Sequence, residues 1–306
     1  MGRISLPIHS KEELTVIFLI PLTLLLSLLL SIAIRRLSLR TGVVDLPDFR
    51  RKLHTLPVPR LGGVAFFLAF YSALIAKGCL FGSFSELDSA LISAGGLSLL
   101  FGAIDDFFDL LPLRKLCLQL VSASSAALLL PEIYPIRLSI PFIVLMMNAY
   151  NFIDGLDALA ASLSLSSLLF ISLSSLILFN TGMGITPVLL LFSLLGFLPL
   201  NLHPASLYMG ESGSATLGLS IAVITLSLPL PAALLSLSFS LIPIFDAVAA
   251  VPRRILLGRS PFAADKGHIH HRLLSLGVAQ PTATAVLALL SLLLSFTSLS
   301  LAVFLS

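Results

Sequence analysis

Along the chain, hydrophobic positions gather into long runs, and polar positions into short clusters between them. Ten apolar runs stand out, at approximately 14–34, 61–81, 87–104, 114–131, 136–150, 156–179, 184–200, 213–230, 231–251 and 282–305. A helix needs about 20 apolar residues, within a range of ~17–25, to cross a bilayer core ~30 Å thick. The fifth and eighth runs are short and interrupted by proline or glycine. The pattern predicts an all-α polytopic membrane protein with about ten transmembrane helices, forming a single integral-membrane domain over residues 1–306. The first run lacks a small-residue cleavage site and ends on Arg35 and Arg36, so it is expected to be a retained span and not a signal peptide.

Composition agrees with the pattern. The chain is 57% hydrophobic and only 11% charged, against about 25% charged residues in ordinary soluble domains. Charge placement adds an orientation. All of the 18 Lys and Arg residues except Arg3, Lys11, Lys77 and Arg137 lie in the odd-numbered loops. The positive-inside rule then makes those loops cytoplasmic and both termini external. Glu12, Glu13, Glu86, Asp88 and Glu132 fall on the external side and are expected to be solvated. Cys79 and Cys117 fall near opposite faces, too far apart for a bridge that needs Cα atoms within ~7 Å.

Five polar clusters share the cytoplasmic side. The stretch VDLPDFRRKLHTLPVPRLGG, residues 44–63, is basic and stiffened by proline, and carries Lys52 and His54. Such a loop is either a solvated positive-inside loop or a phosphate site. GAIDDFFDL, residues 102–110, places Asp105, Asp106 and Asp109 at the end of an apolar run. Three adjacent carboxylates repel one another and need a positive offset, from Arg114, from Lys115 or from a divalent cation. An oxygen-only donor set favours Mg²⁺ or Mn²⁺.

NAYNFIDGLDALA, residues 148–160, repeats Asn148, Asn151, Asp154 and Asp157 every third position, which lines one helical face with amides and carboxylates. An N-cap would account for one or two of the four, and polar groups between apolar spans are costly and usually functional. NLHPASLYMGESGSATLG, residues 201–218, offers a glycine-rich helix start suited to an anion, with Asn201, Tyr208 and Glu211 alongside. DKGHIHHRLL, residues 265–274, brings His268, His270, His271 and Arg272 together, a set better suited to a pyrophosphate than to zinc. Asp246, inside the ninth run, should pair with Arg253, Arg254 or a site metal. Acidic, amide and basic groups on one face suggest metal-assisted phosphoryl transfer.

These five clusters, in this order, resemble the cytoplasmic signatures of the polyprenyl-phosphate N-acetylhexosamine-1-phosphate transferases, the MraY/WecA group of bacterial membrane enzymes. The resemblance runs from about residue 40 to 275. It implies Mg²⁺-dependent transfer of a sugar 1-phosphate from a UDP-sugar to undecaprenyl phosphate, with release of UMP, at the cytosolic face of the bacterial inner membrane. HIHHR resembles the N-acetylglucosamine branch more than the MurNAc-pentapeptide branch. The partners implied are a UDP-sugar, the lipid phosphate and the bilayer, with no nucleic acid and with a homodimer among the assemblies allowed.

By the same resemblance Asp105 and Asp106 are the essential acidic pair, with Asp105 the better base for the lipid phosphate. Asn151 and Asp154 would hold the nucleotide, supported by Asp157. Lys52, His54 and Asn148 would join the substrate site, Asn201 would sit near the uridine, and Tyr208 would stack on uracil. Glu211 would be the main metal ligand, with Asp106 and Asn151 completing the set. His268, His270, His271 and Arg272 would clamp the diphosphate.

Two positions depart from the family pattern. GESGS stands where GDSGS is usual, and Ala158 stands where DGLDGLA has a glycine. Glu211 reaches one methylene further than aspartate, and Glu211→Asp is expected to keep or raise activity. Alanine at position 158 is strained if the site needs positive φ. A catalytically weak binding relative, an intramembrane aspartyl protease and a transporter are the competing readings. The protease would place its carboxylates within the membrane and would not need HIHHR. The transporter would use midplane charges and repeats.

Overall fold

The computed structural model describes residues 8–45, 57–130, 134–179, 185–258, 260 and 267–306. Lys52, His54 and Glu132 lie outside the described residues. The helices are α1 (Ile8–Thr41), α2 (Gly62–Phe81), α3 (Glu86–Phe108), α4 (Pro112–Leu129), α5 (Ile136–Ile153), α6 (Leu159–Ser174, continued by a π-helical turn Ser175–Phe179), α7 (Thr186–Asn201), α8 (Gly210–Leu226), α9 (Leu230–Ser238), α10 (Leu241–Leu256), α11 (Ile269–Ser275) and α12 (Gln280–Leu305). Two antiparallel two-residue strands, β1 (Val44–Asp45) and β2 (Val58–Pro59), flank the basic loop. Otherwise the fold is all-α, as the apolar runs predict.

Each of the ten expected windows holds a helix, but the expected number of spans is not confirmed. Among the described residues six helices are long and apolar enough to cross a membrane, or seven if α9 and α10, bent by 78° at their junction, count as one broken span. Helix α4 begins PLRKLCLQL and is too polar to qualify. Helices α7 and α8 have 16 and 17 residues, just below and just at the lower end of the ~17–25 range for a crossing.

Helix α8 is the centre of the bundle. Every residue from Ser212 to Leu226 is buried, as expected of a helix that is apolar all round. It is packed by α3 and α5, and small residues set the spacing. A Cβ on Gly218 would lie 2.3 Å from the Met146 carbonyl, and one on Gly63 would lie 2.1 Å from the Gly213 nitrogen. Backbone therefore meets backbone where α2 crosses the start of α8.

Two polar devices hold the bundle away from the site. At the far end, Lys77 Nζ contacts both Asp88 oxygens at 2.9 and 2.7 Å, and Thr186 Oγ1 donates to Asp88 at 2.8 Å. This joins α2, α3 and α7. Asp88, expected to be solvated, has no exposed surface, because Lys77 folds onto it. At the α9–α10 break, Ser167 Oγ donates to the Phe239 carbonyl at 2.8 Å, and Tyr150 Oη lies 2.9 Å from Ser240 Oγ. Side-chain hydroxyls of this kind re-satisfy the backbone that a broken helix frees. Both cysteines are free.

Candidate active site

The three carboxylates of DDFFD are met by three different positive sources. Asp106 Oδ1 accepts from the Glu211 N–H at 2.8 Å, and Oδ2 accepts from Ser212 N–H at 3.0 Å. It thus caps the first turn of α8 from another helix, satisfying N–H groups that have no intrahelical partner. Gly210 makes this approach feasible. Its φ is +75°, and a Cβ there would lie 2.1 Å from the Arg60 carbonyl and 2.8 Å from Asp106 Oδ2. Asp109, exposed at the C-cap of α3, pairs with Arg60 at 3.4 Å. Asp105 is buried, accepts from Leu110 N–H at 2.6 Å, and pairs with Lys115 Nζ at 2.6 Å.

Lys115 is the hinge of the cluster. Its ammonium also bonds Glu211 Oε1 at 2.9 Å, while Asn151 Nδ2 donates to Glu211 Oε2 at 2.7 Å and to Ser214 Oγ at 3.1 Å. A chain Asp105–Lys115–Glu211–Asn151 therefore links α3, α4, α8 and α5. A small, half-open pocket adjoins it, lined by Asp105, Lys115, Glu211, Gln119, Met147 and neighbouring apolar groups.

One turn beyond Asn151, Asp154 accepts no hydrogen bond among the described residues. Burial, reinforced by the charges of Glu211, Asp106 and Asp157, pushes its carboxyl up to about 8. Next to it, Gly155 packs on His270, whose Nε2 would be 2.3 Å from a Cβ at that position. His270 is 1% exposed, and neither ring nitrogen has a partner among the described residues. Burial, with His271 and His268 beside it, lowers its pKa to about 4. A buried polar group without a partner is rare, and this one adjoins the carboxylate rim. His271 lies against His270 with ring centroids 4.3 Å apart, and His268 is parallel to His270 at 5.9 Å. Arg272 is exposed and donates to the Gly267 carbonyl at 2.9 Å.

Tyr208 is half-buried at the same rim. Its N–H donates to the Pro59 carbonyl, and its own carbonyl accepts from Gly62 N–H. Burial, and then the charges of Asp157, Asp45 and Asp154, raise its hydroxyl pKa.

Other expected residues have different jobs. Asn201 is 3% exposed, and both ends of its amide are committed to backbone. Its Oδ1 accepts from Ala158 N–H at 3.1 Å, and its Nδ2 donates to the Leu207 carbonyl at 3.0 Å. Its two polar ends thus tie the loop carrying Tyr208 to the turn carrying Asp154. Asp157 Oδ2 is bonded to His203 at 2.7 Å and Ala205 N–H at 3.1 Å, anchoring that same loop. Asn148 Nδ2 donates to Gln119 and to the Val144 carbonyl, so it faces α4 and not Glu211. Asp246 pairs with His268, not with an arginine or a metal site, at 2.7 Å. Ala158 does take positive φ, at 59°, which is why the family pattern has glycine there.

The donors suit a hard cation in chemistry but not as a finished cage. Among the described residues no three Asp, Glu, His or Cys side chains are grouped to hold a metal. Glu211, Asp106 and Asn151 do not form the expected ligand set, because Asp106 caps α8 and Asn151 presents its NH₂ to Glu211. Asp105 and Glu211 instead face one cation already, the Lys115 ammonium. Mg²⁺ commonly takes only one or two carboxylates and completes its shell with water and substrate phosphate, so the oxygen-rich rim fits it on those terms. Lys115 and Gln119, one turn apart on α4, carry more of the site than their sequence suggests. The signal was present in Lys115, a cation just after three aspartates.

Residues 89–228 match the glycosyl transferase family 4 model. The chain is 32% identical to the decaprenyl-phosphate N-acetylglucosaminephosphotransferase of Mycolicibacterium smegmatis over 291 residues, covering 80% of this chain and 71% of the relative. The chain belongs to this family. Within family 4 it is 34% identical to the undecaprenyl-phosphate alpha-N-acetylglucosaminyl 1-phosphate transferase of Thermotoga maritima, over 76% of this chain and 73% of that protein. It is 25% identical to the Escherichia coli K12 enzyme of the same name, over 85% and 77%. The resemblance carried by the five motifs thus holds, on the N-acetylglucosamine branch, and the family 4 chain is a multi-pass membrane protein.

Proposed function

We propose that this family 4 transferase moves N-acetylglucosamine 1-phosphate from UDP-N-acetylglucosamine to undecaprenyl phosphate. A phosphate oxygen of the lipid attacks the phosphorus next to the sugar. The bond from that phosphorus to the bridging oxygen breaks, and UMP leaves with that oxygen. The product, a lipid diphosphate sugar, would prime a cell-envelope polysaccharide. The reading rests on one observation above all: Asp105, Lys115, Glu211 and Asn151 are linked at the end of the bundle where Asp154 and His270 also lie. The relatives' names supply the sugar and the lipid.

In this reading Asp105 keeps the lipid phosphate deprotonated, with Lys115 holding its carboxylate in place. Asp154 and Tyr208 bind the nucleotide in a pocket shaped by Asn201 and Asp157. His268, His270, His271 and Arg272 bind phosphate oxygens, and an incoming diphosphate gives His270 the partner it lacks. Glu211 would hold Mg²⁺ together with water and substrate phosphate, and the ion when bound would offset charge on the transferring oxygens. The site faces the cytosol at the inner membrane, and the shorter helices complete about ten spans by thinning the bilayer locally and by snorkelling of flanking residues. The test is transfer of radiolabel from a panel of UDP-sugars to undecaprenyl phosphate by purified protein. UDP-N-acetylglucosamine should be the preferred donor, and UDP-MurNAc-pentapeptide should be inert. The reverse preference rejects the assignment.

A further inference from the structure

Helix α10 buries Ile242, Pro243, Asp246, Ala247, Ala250 and Arg254 on one face. A carboxylate on such a face is costly unless every lone pair finds a partner. Asp246 is eight residues from Arg254, about 12 Å along the helix, and its bonds come from elsewhere. Its Oδ2 contacts His268 Nδ1 at 2.7 Å, and its Oδ1 accepts from the Ile269 N–H at 2.9 Å. Both side chains of the pair are buried, at 6% and 7% exposure.

The geometry has two consequences. A carboxylate only accepts, so Nδ1 of His268 carries a proton, and Nε2 is the nitrogen that meets a phosphate oxygen when it is protonated as well. The second bond fixes the start of α11. His268 is the N-cap residue there, with φ −62° and ψ 150°, but its own side chain makes no capping bond. Asp246 supplies that bond from α10, so one carboxylate sets both the Nδ1 proton of His268 and the backbone that carries His270. The ring is held from its other sides by Phe152, at 5.3 Å between centroids, and by His270. Arg254 lies over Phe152 at 5.4 Å, so aromatic packing also fixes the plane of His268.

We propose that Asp246 is a positioning residue for the transfer reaction, accepting from Nδ1–H of His268 so that Nε2 points away from the carboxylate and, in the doubly protonated ring, donates to a diphosphate oxygen. This rests on the proposed function for the role of the histidines. The structural half of the claim stands without it.

The experiment compares Asp246→Asn, Asp246→Glu, His268→Ala and the Asp246→Asn/His268→Ala double variant with the unmodified protein. Asparagine can still accept from Ile269 N–H, but its NH₂ group then faces a bare Nδ1, so the ring is held neutral as the Nε2–H tautomer and loses the charge it brings to the diphosphate. Turnover should fall at least tenfold, toward the ~10²-fold scale of a lost acid–base group, with KM for UDP-N-acetylglucosamine little changed. Asp246→Glu should recover part of the loss, and the double variant should be no worse than His268→Ala alone. Nitrogen NMR of ¹⁵N-histidine-labelled protein should show a proton on Nδ1 of His268 in the unmodified protein and the neutral Nε2–H form in Asp246→Asn. Unchanged turnover, additive losses in the double variant, or an unchanged His268 spectrum each overturns the proposal. If the unmodified protein transfers nothing from any UDP-sugar, the reading of the reaction fails, and the NMR arm alone decides the Nδ1 claim.

Discussion

Replacing Asn201 by leucine separates a residue that shapes the site from one that touches the substrate. Leucine keeps the approximate volume and removes both polar ends. Two backbone groups then lose their partners: the Ala158 N–H, 3.1 Å from Oδ1, and the Leu207 carbonyl, 3.0 Å from Nδ2. Asn201 is 3% exposed, so water does not readily replace it. Leaving a buried polar group unsatisfied costs about 1–3 kcal/mol each, giving a loss of roughly 2–6 kcal/mol, part of which relaxation of the loop recovers. Ala158 makes the turn sensitive, because it already sits at φ 59°, a conformation costing an L-residue about 1–2 kcal/mol. The assay is unfolding in mild detergent alongside UMP release. The expected result is a clear loss of stability, with turnover and apparent KM both impaired as the turn and loop relax. A variant of undiminished stability whose only defect is a raised KM for the UDP-sugar would refute the reasoning and restore Asn201 to the binding surface.

Asp88→Asn should destabilise the fold by about 3–5 kcal/mol, because it leaves the Lys77 ammonium buried without its counter-charge; equilibrium unfolding measures it, and the active site lies at the other end of the bundle. Gly155→Ala should leave the fold intact but displace the His270 ring, which a Cβ would overlap at 2.3 Å; turnover should fall while unfolding stays near that of the unmodified protein. Asp154 gives a pH prediction. Its folded pKa of about 8 lies above the ordinary aspartate value of 3.8, so the folded state holds a proton that the unfolded state has lost, and stability falls as pH rises through that window. Asp154→Asn should therefore gain relative stability between about pH 4 and 8 in metal-free buffer; a difference that does not vary with pH contradicts the assignment.

Much of this was legible in the residues. Apolar runs located the helices, and five motifs located the site, because a charge between membrane spans is too costly to be accidental. Lys115 illustrates what was half visible: three aspartates demanded a cation, but sequence could not say that one ammonium would bridge Asp105 and Glu211 from two different helices. Other features were hidden for definite reasons. Asn201 reads as a ligand until both ends of its amide are seen to serve backbone. Asp88 reads as solvated until Lys77 and Thr186 arrive from 11 and 98 residues away. The partner of Asp246 lies 22 residues on, in a loop whose return to α10 no local pattern announces. Hydropathy marked ten runs but could not show that one of them, α8, is wrapped on all sides by its neighbours.

The central claim is that the linked groups around Glu211 form a cation-dependent transfer site. It is tested most directly by measuring UMP release from UDP-N-acetylglucosamine and undecaprenyl phosphate by purified protein across a Mg²⁺ titration, for the unmodified chain, Glu211→Asp and Glu211→Gln. The account predicts no release in chelator, saturable activation by Mg²⁺ in the unmodified protein, activity kept or raised in Glu211→Asp, and almost none in Glu211→Gln. Release that persists in chelator, or a Glu211→Gln variant as active as the unmodified chain, would contradict it.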